Sequence, residues 1–473
     1  MKVSNSEFLT SQKEYLRQLI AVLSEEFGYA SVLGTDSRGK QYSVQQSGAT
    51  IGDSRWTERG FVVRVHNGHN YSEYSFNQLP ELLELLAAIR TDLQLNQLEA
   101  VTGITRAVYP VIAEEPWQST FYGDVAILPE TMSVAAKIAK LTAIKDQGLQ
   151  GSEWLIDYKA RYEEVHVHKL FLSPAKDLEQ SYVWSQGYLV AIARRDGKTQ
   201  FAYQTFSGLN GPELLEQMAE AVAQPVNLVV RLLDAEPVKP GEYDVICSPE
   251  ISGLIAHEAF GHGVEMDMFV KNRAKAVEYL GRPVASELVT MHDGAAAAHH
   301  VSSFWFDDEG TPAADTIVID HGVLQTGISD LLSSLRLGTQ PTGNGKRESF
   351  ERKAYARMTN TFFAGGRDRV EAMIGSIRHG YLLDGTLSGM EDPKDWGIQC
   401  VIRYGAEIRD GKLTGKLVAP VIMTGFVPDL LQNITMVSAD VGLAGTGACG
   451  KGHKELVKVS DGGPYIKTRA RLG

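Results

Sequence analysis

The string His257-Glu258-Ala259-Phe260-Gly261-His262 sets two imidazoles around a carboxylate, residue types that hold a metal ion and move a proton beside it. In the shorter string His-Glu-x-x-His, ligands four apart share one helix face. Here they are five apart. At about 100° per residue the two rings on a regular helix would lie about 140° apart, too far round to share one small ion. For the side chains to converge, the helix must either widen by one residue in a π-bulge or end at Gly261 and Gly263. A helix end carrying surface histidines is the plain alternative.

A hydrolytic zinc site needs a third protein ligand and an open position for water, whose pKa the ion lowers toward ~7. Glu265, Asp267, Cys449 and His453 are candidates by ligand type. Cys449 lies in Gly445-Thr446-Gly447-Ala448-Cys449-Gly450-Lys451-Gly452, where glycines allow close backbone approach and a thiolate is a good zinc ligand. The same cysteine could instead pack in a core, or act as a nucleophile with His453 as its base. If His453 or Asp267 completed a four-ligand shell, the ion would be structural and the chain a non-enzymatic peptide-binding or assembly subunit.

The helix that must carry the histidines is written into the residues before them. A strand-like Tyr243-Asp244-Val245-Ile246-Cys247 leads into Ser248-Pro249, a helix cap followed by proline in the first turn. Ile251, Leu254 and Ile255 then supply a buried face. Just upstream, Glu236-Pro237-Val238-Lys239-Pro240-Gly241 interrupts both helical and strand periodicity, which puts a domain boundary there. Residues 1–235 read as a mixed α/β region. Helical spacing of Leu16, Leu19, Ile20, Leu23 and Phe27, a hairpin over 61–76 turning at Asn67-Gly68, and a helix from Pro80 open it. Helices over 131–145 and 212–223 and strands over 165–172, 187–193 and 200–205 complete it. Residues 241–473 read as β-rich, with strands over 316–319, 323–326 and 398–404. The fold class reads as α+β: a mixed α/β N-terminal region followed by a β-rich C-terminal domain, the expected catalytic domain, carrying the candidate metal-binding helix.

Composition narrows the function further. A chain of 473 residues with 43% hydrophobic and 22% charged residues is neither a small module nor disordered. A net charge of -12 argues against nucleic acid as the main ligand. No stretch approaches the ~18 apolar residues of a membrane span, and the first residues lack a signal-peptide core. Three scattered cysteines, Cys247, Cys400 and Cys449, suit a reducing compartment. The expectation is a cytoplasmic protein without a membrane partner.

Other patterns carry less. Gly445 to Gly450 matches G-x-G-x-x-G, yet Gly452 stands where a phosphate loop needs Ser or Thr after its lysine, and too little chain follows for a nucleotide fold. Glu164, His166 and His168 share one strand face, read as solvated. His292, His299 and His300 read as surface residues. Lys467, Arg469 and Arg471 give a basic face on what reads as an edge strand, and Gly343-Asn344-Gly345-Lys346-Arg347 reads as a flexible basic turn near the cleft.

Taken together, several of these motifs resemble the TldD/PmbA family of zinc metallopeptidases, in its metal-bearing TldD-like branch. The likeness rests on His257 to Gly263, Asp307-Asp308-Glu309-Gly310, Pro341 to Arg347, Arg357-Met358-Thr359-Asn360-Thr361 and Ala448-Cys449-Gly450-Lys451, in family order. It implies that His257, His262 and Cys449 bind Zn2+, while Glu258 activates water and passes its proton to the leaving amine. It also implies a homodimer, or a heterodimer with a related subunit, around a chamber that admits unfolded or extended peptides. The segment from Met390 to Cys400 departs from the Ser- and Phe-rich strand usual in the family, so substrate preference does not transfer with the chemistry.

Overall fold

The computed structural model describes residues 1–98, 108–452 and 455–473. Its first half is built on one eight-stranded sheet. Three long antiparallel strands, Ala30–Gln45, Leu155–Leu172 and Lys176–Arg195, form the middle, flanked by Glu58–His66, Tyr71–Phe76 and Trp117–Tyr122. Gly48–Asp53 and Lys198–Gly208 fold back on the first and last of the long strands. The helix Glu7–Glu26, capped by Ser6, lays Leu16, Leu19, Ile20 and Leu23 on this sheet. Leu82–Leu98 packs on the same core, whereas Val134–Leu149 packs on a separate one with the later strands and helices of this half.

The helix expected over 212–223 is two helices, Leu214–Glu220 and Ala223–Leu232. Pro225 explains the break, because it cannot donate to the carbonyl of Ala221 and its ring crowds that position.

In the second half, five strands close into a ring. The order is His379–Glu391, Gly241–Cys247, Ile466–Leu472, Val421–Phe426 and Gly397–Arg409, and the last pairs back with the first. Lys412–Val418 is appended through a turn at Asp410-Gly411, both at positive φ as this tight hairpin requires. A second sheet of six strands includes Met291–Asp293, Asn360–Phe363, Ser460–Gly463 and Gly442–Ala444. The helix that starts at Pro249 is wedged between the ring strand His379–Glu391 and this second sheet, and one continuous apolar core surrounds it. Among the described residues no helix is long and apolar enough to cross a membrane.

The strand carrying Lys467, Arg469 and Arg471 is not an edge. It sits inside the ring, paired on both sides, and only its charged side chains reach solvent, where both arginines meet Glu242.

Candidate metal centre

Ser248 accepts from the Ile251 N–H at 3.4 Å, Pro249 opens the first turn, and the chain runs as a regular helix over Pro249–Leu254. From Ile255 to Gly261 it widens into a π-helix before tightening again at His262–Val264. The His262 N–H donates to the His257 carbonyl, five residues back. The two histidines are thus the two ends of one wide-turn hydrogen bond, which stacks their side chains one above the other. Gly261 makes the close packing possible: a Cβ there would lie 2.2 Å from Met358 Sδ, in the segment leading to the strand Asn360–Phe363.

Cys449 comes from far along the chain, on the hairpin Ala448–Lys451 and Glu455–Lys458. Its Sγ stands 3.5 Å from His262 Nε2, and the donor atoms of His257, His262 and Cys449 all lie within 4.8 Å of one another. Zinc bonds of about 2.05 Å to nitrogen and 2.3 Å to sulfur at a tetrahedral angle put N and S about 3.6 Å apart. The donor set therefore fits such an ion. Its electrostatics fit too: burial opposes charge on both imidazoles, but the Cys449 thiolate outweighs it, lifting His257 to about 8 and His262 well above its ordinary value. Burial likewise pushes the Cys449 thiol up, and the two imidazoles overcome it and hold the thiol well below its ordinary range. A cation among these three groups replaces the protons that the two imidazoles would otherwise keep.

Glu258 lies beside both histidines. Its oxygens lie 3.9 Å from His257 Nε2 and 3.8 Å from His262 Nε2, and its side chain is 26% exposed in a cleft of about 480 Å³. Behind the ligands a buried network fixes them. His262 Nδ1 donates to Glu265 at 3.2 Å, and Lys451 bridges Glu265 at 3.0 Å and Asp267 at 2.6 Å. Arg357 donates to the Cys449 carbonyl at 2.7 Å while its Nε faces Glu265 at 3.6 Å. Burial raises the Glu265 carboxyl, but Lys451 and then His262 hold it far below its usual range. Ligand, carboxylate and lysine form a relay that orients the imidazole.

Of the candidates by ligand type, then, Cys449 reaches the histidines, whereas Glu265 and Asp267 sit behind them as supports. His453 lies outside the described residues. Lys451, which gave the glycine-rich segment its false likeness to a phosphate loop, is an anchor of this network, and its segment forms a hairpin rather than leading into a helix. Arg357 and Lys451 were visible only as parts of motifs, because their partners are far away in sequence.

Elsewhere the structure corrects the reading. Glu164 and His168 are buried rather than solvated: Glu164 pairs with Lys137 and accepts from Tyr42 and Tyr162, and the rings of His166 and His168 lie 4.1 Å apart. The reason is that the helix Val134–Leu149 packs on this strand and brings Lys137 to Glu164. Of the three histidines read as surface residues, only His299 is exposed. His292 bonds Asp315 at 2.8 Å and stacks on Phe362, and burial lowers His300 to about 4. Nor is the turn at Gly343 to Arg347 free, since Lys346 is buried against Ser302 and the carbonyls of Met358 and Lys458.

Comparison with known proteins places this geometry among relatives. Residues 240–470 match the family model described as the PmbA/TldA metallopeptidase C-terminal domain. A Methanothermobacter thermautotrophicus protein named "Metalloprotease" is 32% identical over 284 residues, 60% of this chain, and the match spans 62% of that protein's length. "Metalloprotease slr0863" of Synechocystis is 28% identical over 98% of both chains. A Saccharolobus solfataricus "Zinc metalloprotease TldD homolog" is 30% identical over 51% of this chain and 53% of its own. In three dimensions the chain is similar to TldE from Thermococcus kodakarensis, with a TM-score of 0.75 at 19% identity over 97% of this chain and 99% of that one.

Proposed function

The chain belongs to the TldD/PmbA family, and from that premise we propose that it is a zinc-dependent peptidase acting on extended or unfolded peptides. His257, His262 and Cys449 hold the ion, and Glu258 is the general base. When bound, zinc supplies a Lewis acid that polarises the scissile carbonyl and makes water a nucleophile near neutral pH. Glu258 takes the proton of the attacking water and returns it to the leaving amine. His262 is kept in one tautomer by Glu265, and Arg357 fixes the backbone of Cys449, so the ligands need no rearrangement when substrate arrives.

The observation that carries the reading is the position of Glu258, less than 4 Å from both imidazole nitrogens and facing an open cleft. A structural ion would call for a fourth protein ligand instead of a carboxylate in a cleft. Relatives named metalloprotease, one of them zinc metalloprotease, support the same chemistry.

The test is digestion of an unstructured peptide mixture by metal-loaded wild type and Glu258→Gln, with metal in both quantified by elemental analysis. Equal metal with cleavage by wild type alone is the expected result. Equal metal and equal cleavage would remove Glu258 from the chemistry, and cleavage by neither would favour a structural ion.

A further inference from the structure

Beside the cleft lies a second cavity, of about 410 Å³. The three elements that wall the cleft at Glu258, Gly389 and Gly450 also wall this cavity: the helix at Leu254, the ring strand at Leu387 and the chain before Cys449 at Gly447. Gly389 marks the junction. An ideal Cβ on it would lie 2.8 Å from Leu254 Cδ1, in one cavity, and 2.8 Å from Glu258 Cγ, in the other. The two cavities therefore adjoin across Gly389, beside the metal centre.

The two cavities, taken as halves of the site, differ in chemistry. Around Glu258 the walls are charged, with Glu265, Lys271, Arg273 and Lys451. The other half is floored by Tyr188, Phe201 and Tyr203 from the first-half sheet, with the carboxylates of Glu250 and Asp461 also in its lining. Both tyrosine hydroxyls are already committed, Tyr188 to the Thr446 carbonyl and Tyr203 to Glu250 at 2.7 Å and the Thr386 carbonyl. What they offer the cavity is ring surface. At its mouth Phe201 is 43% and Leu387 41% exposed, large apolar groups left in water within a concave site.

We propose that this aromatic half is the specificity pocket, receiving the large aliphatic or aromatic side chain of the substrate residue next to the cleaved bond. The occupant follows from a cavity that adjoins the cleft and from floor rings whose hydroxyls are already bonded. The proposal rests on the peptidase reading. Burying such a side chain in place of alanine favours it by roughly 10–100-fold.

The experiment has two arms. In the first, wild type and Leu387→Asp digest matched peptides carrying Phe or Ala at the position mapped beside the cut. In the second, Glu258→Gln loaded with zinc binds fluorescent versions of the same peptides, read by anisotropy. The expected result is a preference of at least tenfold for Phe in both arms, lost in Leu387→Asp through KM rather than kcat. Cleavage and binding without preference would overturn the pocket and leave the peptidase reading intact. Selective binding without cleavage by wild type would uphold the pocket and overturn the peptidase.

Discussion

Replacing Gly389 by alanine tests how tightly the base is positioned. The new Cβ would stand 2.8 Å from Glu258 Cγ and 3.0 Å from Glu258 Cβ. Carbon atoms in contact prefer about 3.5–4.0 Å, so something must give by about 0.7–1 Å. Leu254 Cδ1, the other close atom, can rotate away, but Glu258 Cβ is fixed to the helix, so relief comes from moving the carboxylate or parting helix from strand. A misplacement of about 1 Å costs about 100-fold in rate. Overpacking of this size costs about 1–3 kcal/mol of stability. Gly389 has no positive φ, so no backbone strain adds to the effect. The expected result is a kcat/KM lower by about 100-fold at unchanged zinc content, since the atoms displaced belong to Glu258 and Leu254 and not to the ligands. Gly397→Ala, at a glycine of the same sheet with no neighbour within 4 Å of its Cβ, is the control and stays near wild type. A Gly389→Ala enzyme within threefold of wild type at full metal occupancy would refute the claim that Glu258 must stand where it does.

Three further expectations follow from groups around the site. Glu265→Gln keeps the shape but removes the charge that orients His262, and should weaken zinc binding about 10–100-fold in a chelator competition. Alkylation followed by mass spectrometry should mark Cys449 first in metal-free protein and leave it protected when zinc is bound. Cys247 and Cys400 stay unmodified in both, since burial pushes their thiols up and leaves them no access. Away from the metal, burial raises the Glu73 carboxyl but Arg64 and Arg347 outweigh it, holding it well below the usual range. A depressed carboxylate contributes stability that is complete above its unfolded pKa of about 4.3 and is lost as pH falls through its folded value. Urea midpoints should therefore drop below about pH 4 in wild type, and less steeply in Glu73→Gln; parallel curves would show that the ion pairs carry no such linkage.

The local part of the site was open to sequence reasoning, and the non-local part was not. The apolar face of Ile251, Leu254 and Ile255 announced a helix, and a spacing of five between His257 and His262 left either a widened turn or a helix end at the glycines, of which the structure contains the first. Nothing local could bring Cys449 to that helix, because its approach depends on a hairpin 187 residues from His262, and only the family resemblance singled it out. Glu265 shows the opposite error: its type suits a ligand, and it is spent instead on His262 and Lys451. Strands were under-read where both faces are covered. Ala30–Gln45 loses its alternation because its first eight residues are all buried, and period two disappears when neither face meets water.

The hairpin of Cys449 leans on the other half of the molecule. Tyr188 holds the Thr446 carbonyl, Ser207 accepts from the Gly445 N–H at 2.9 Å, and Gln186 accepts from Lys458 at 2.6 Å. All three come from the first-half sheet, outside the stretch that matches the family model. The footing of the third candidate ligand thus lies outside the residues that match the family model. A gene fusion that transplanted residues 240–470 onto a foreign partner would inherit both histidines and leave the third ligand without its footing.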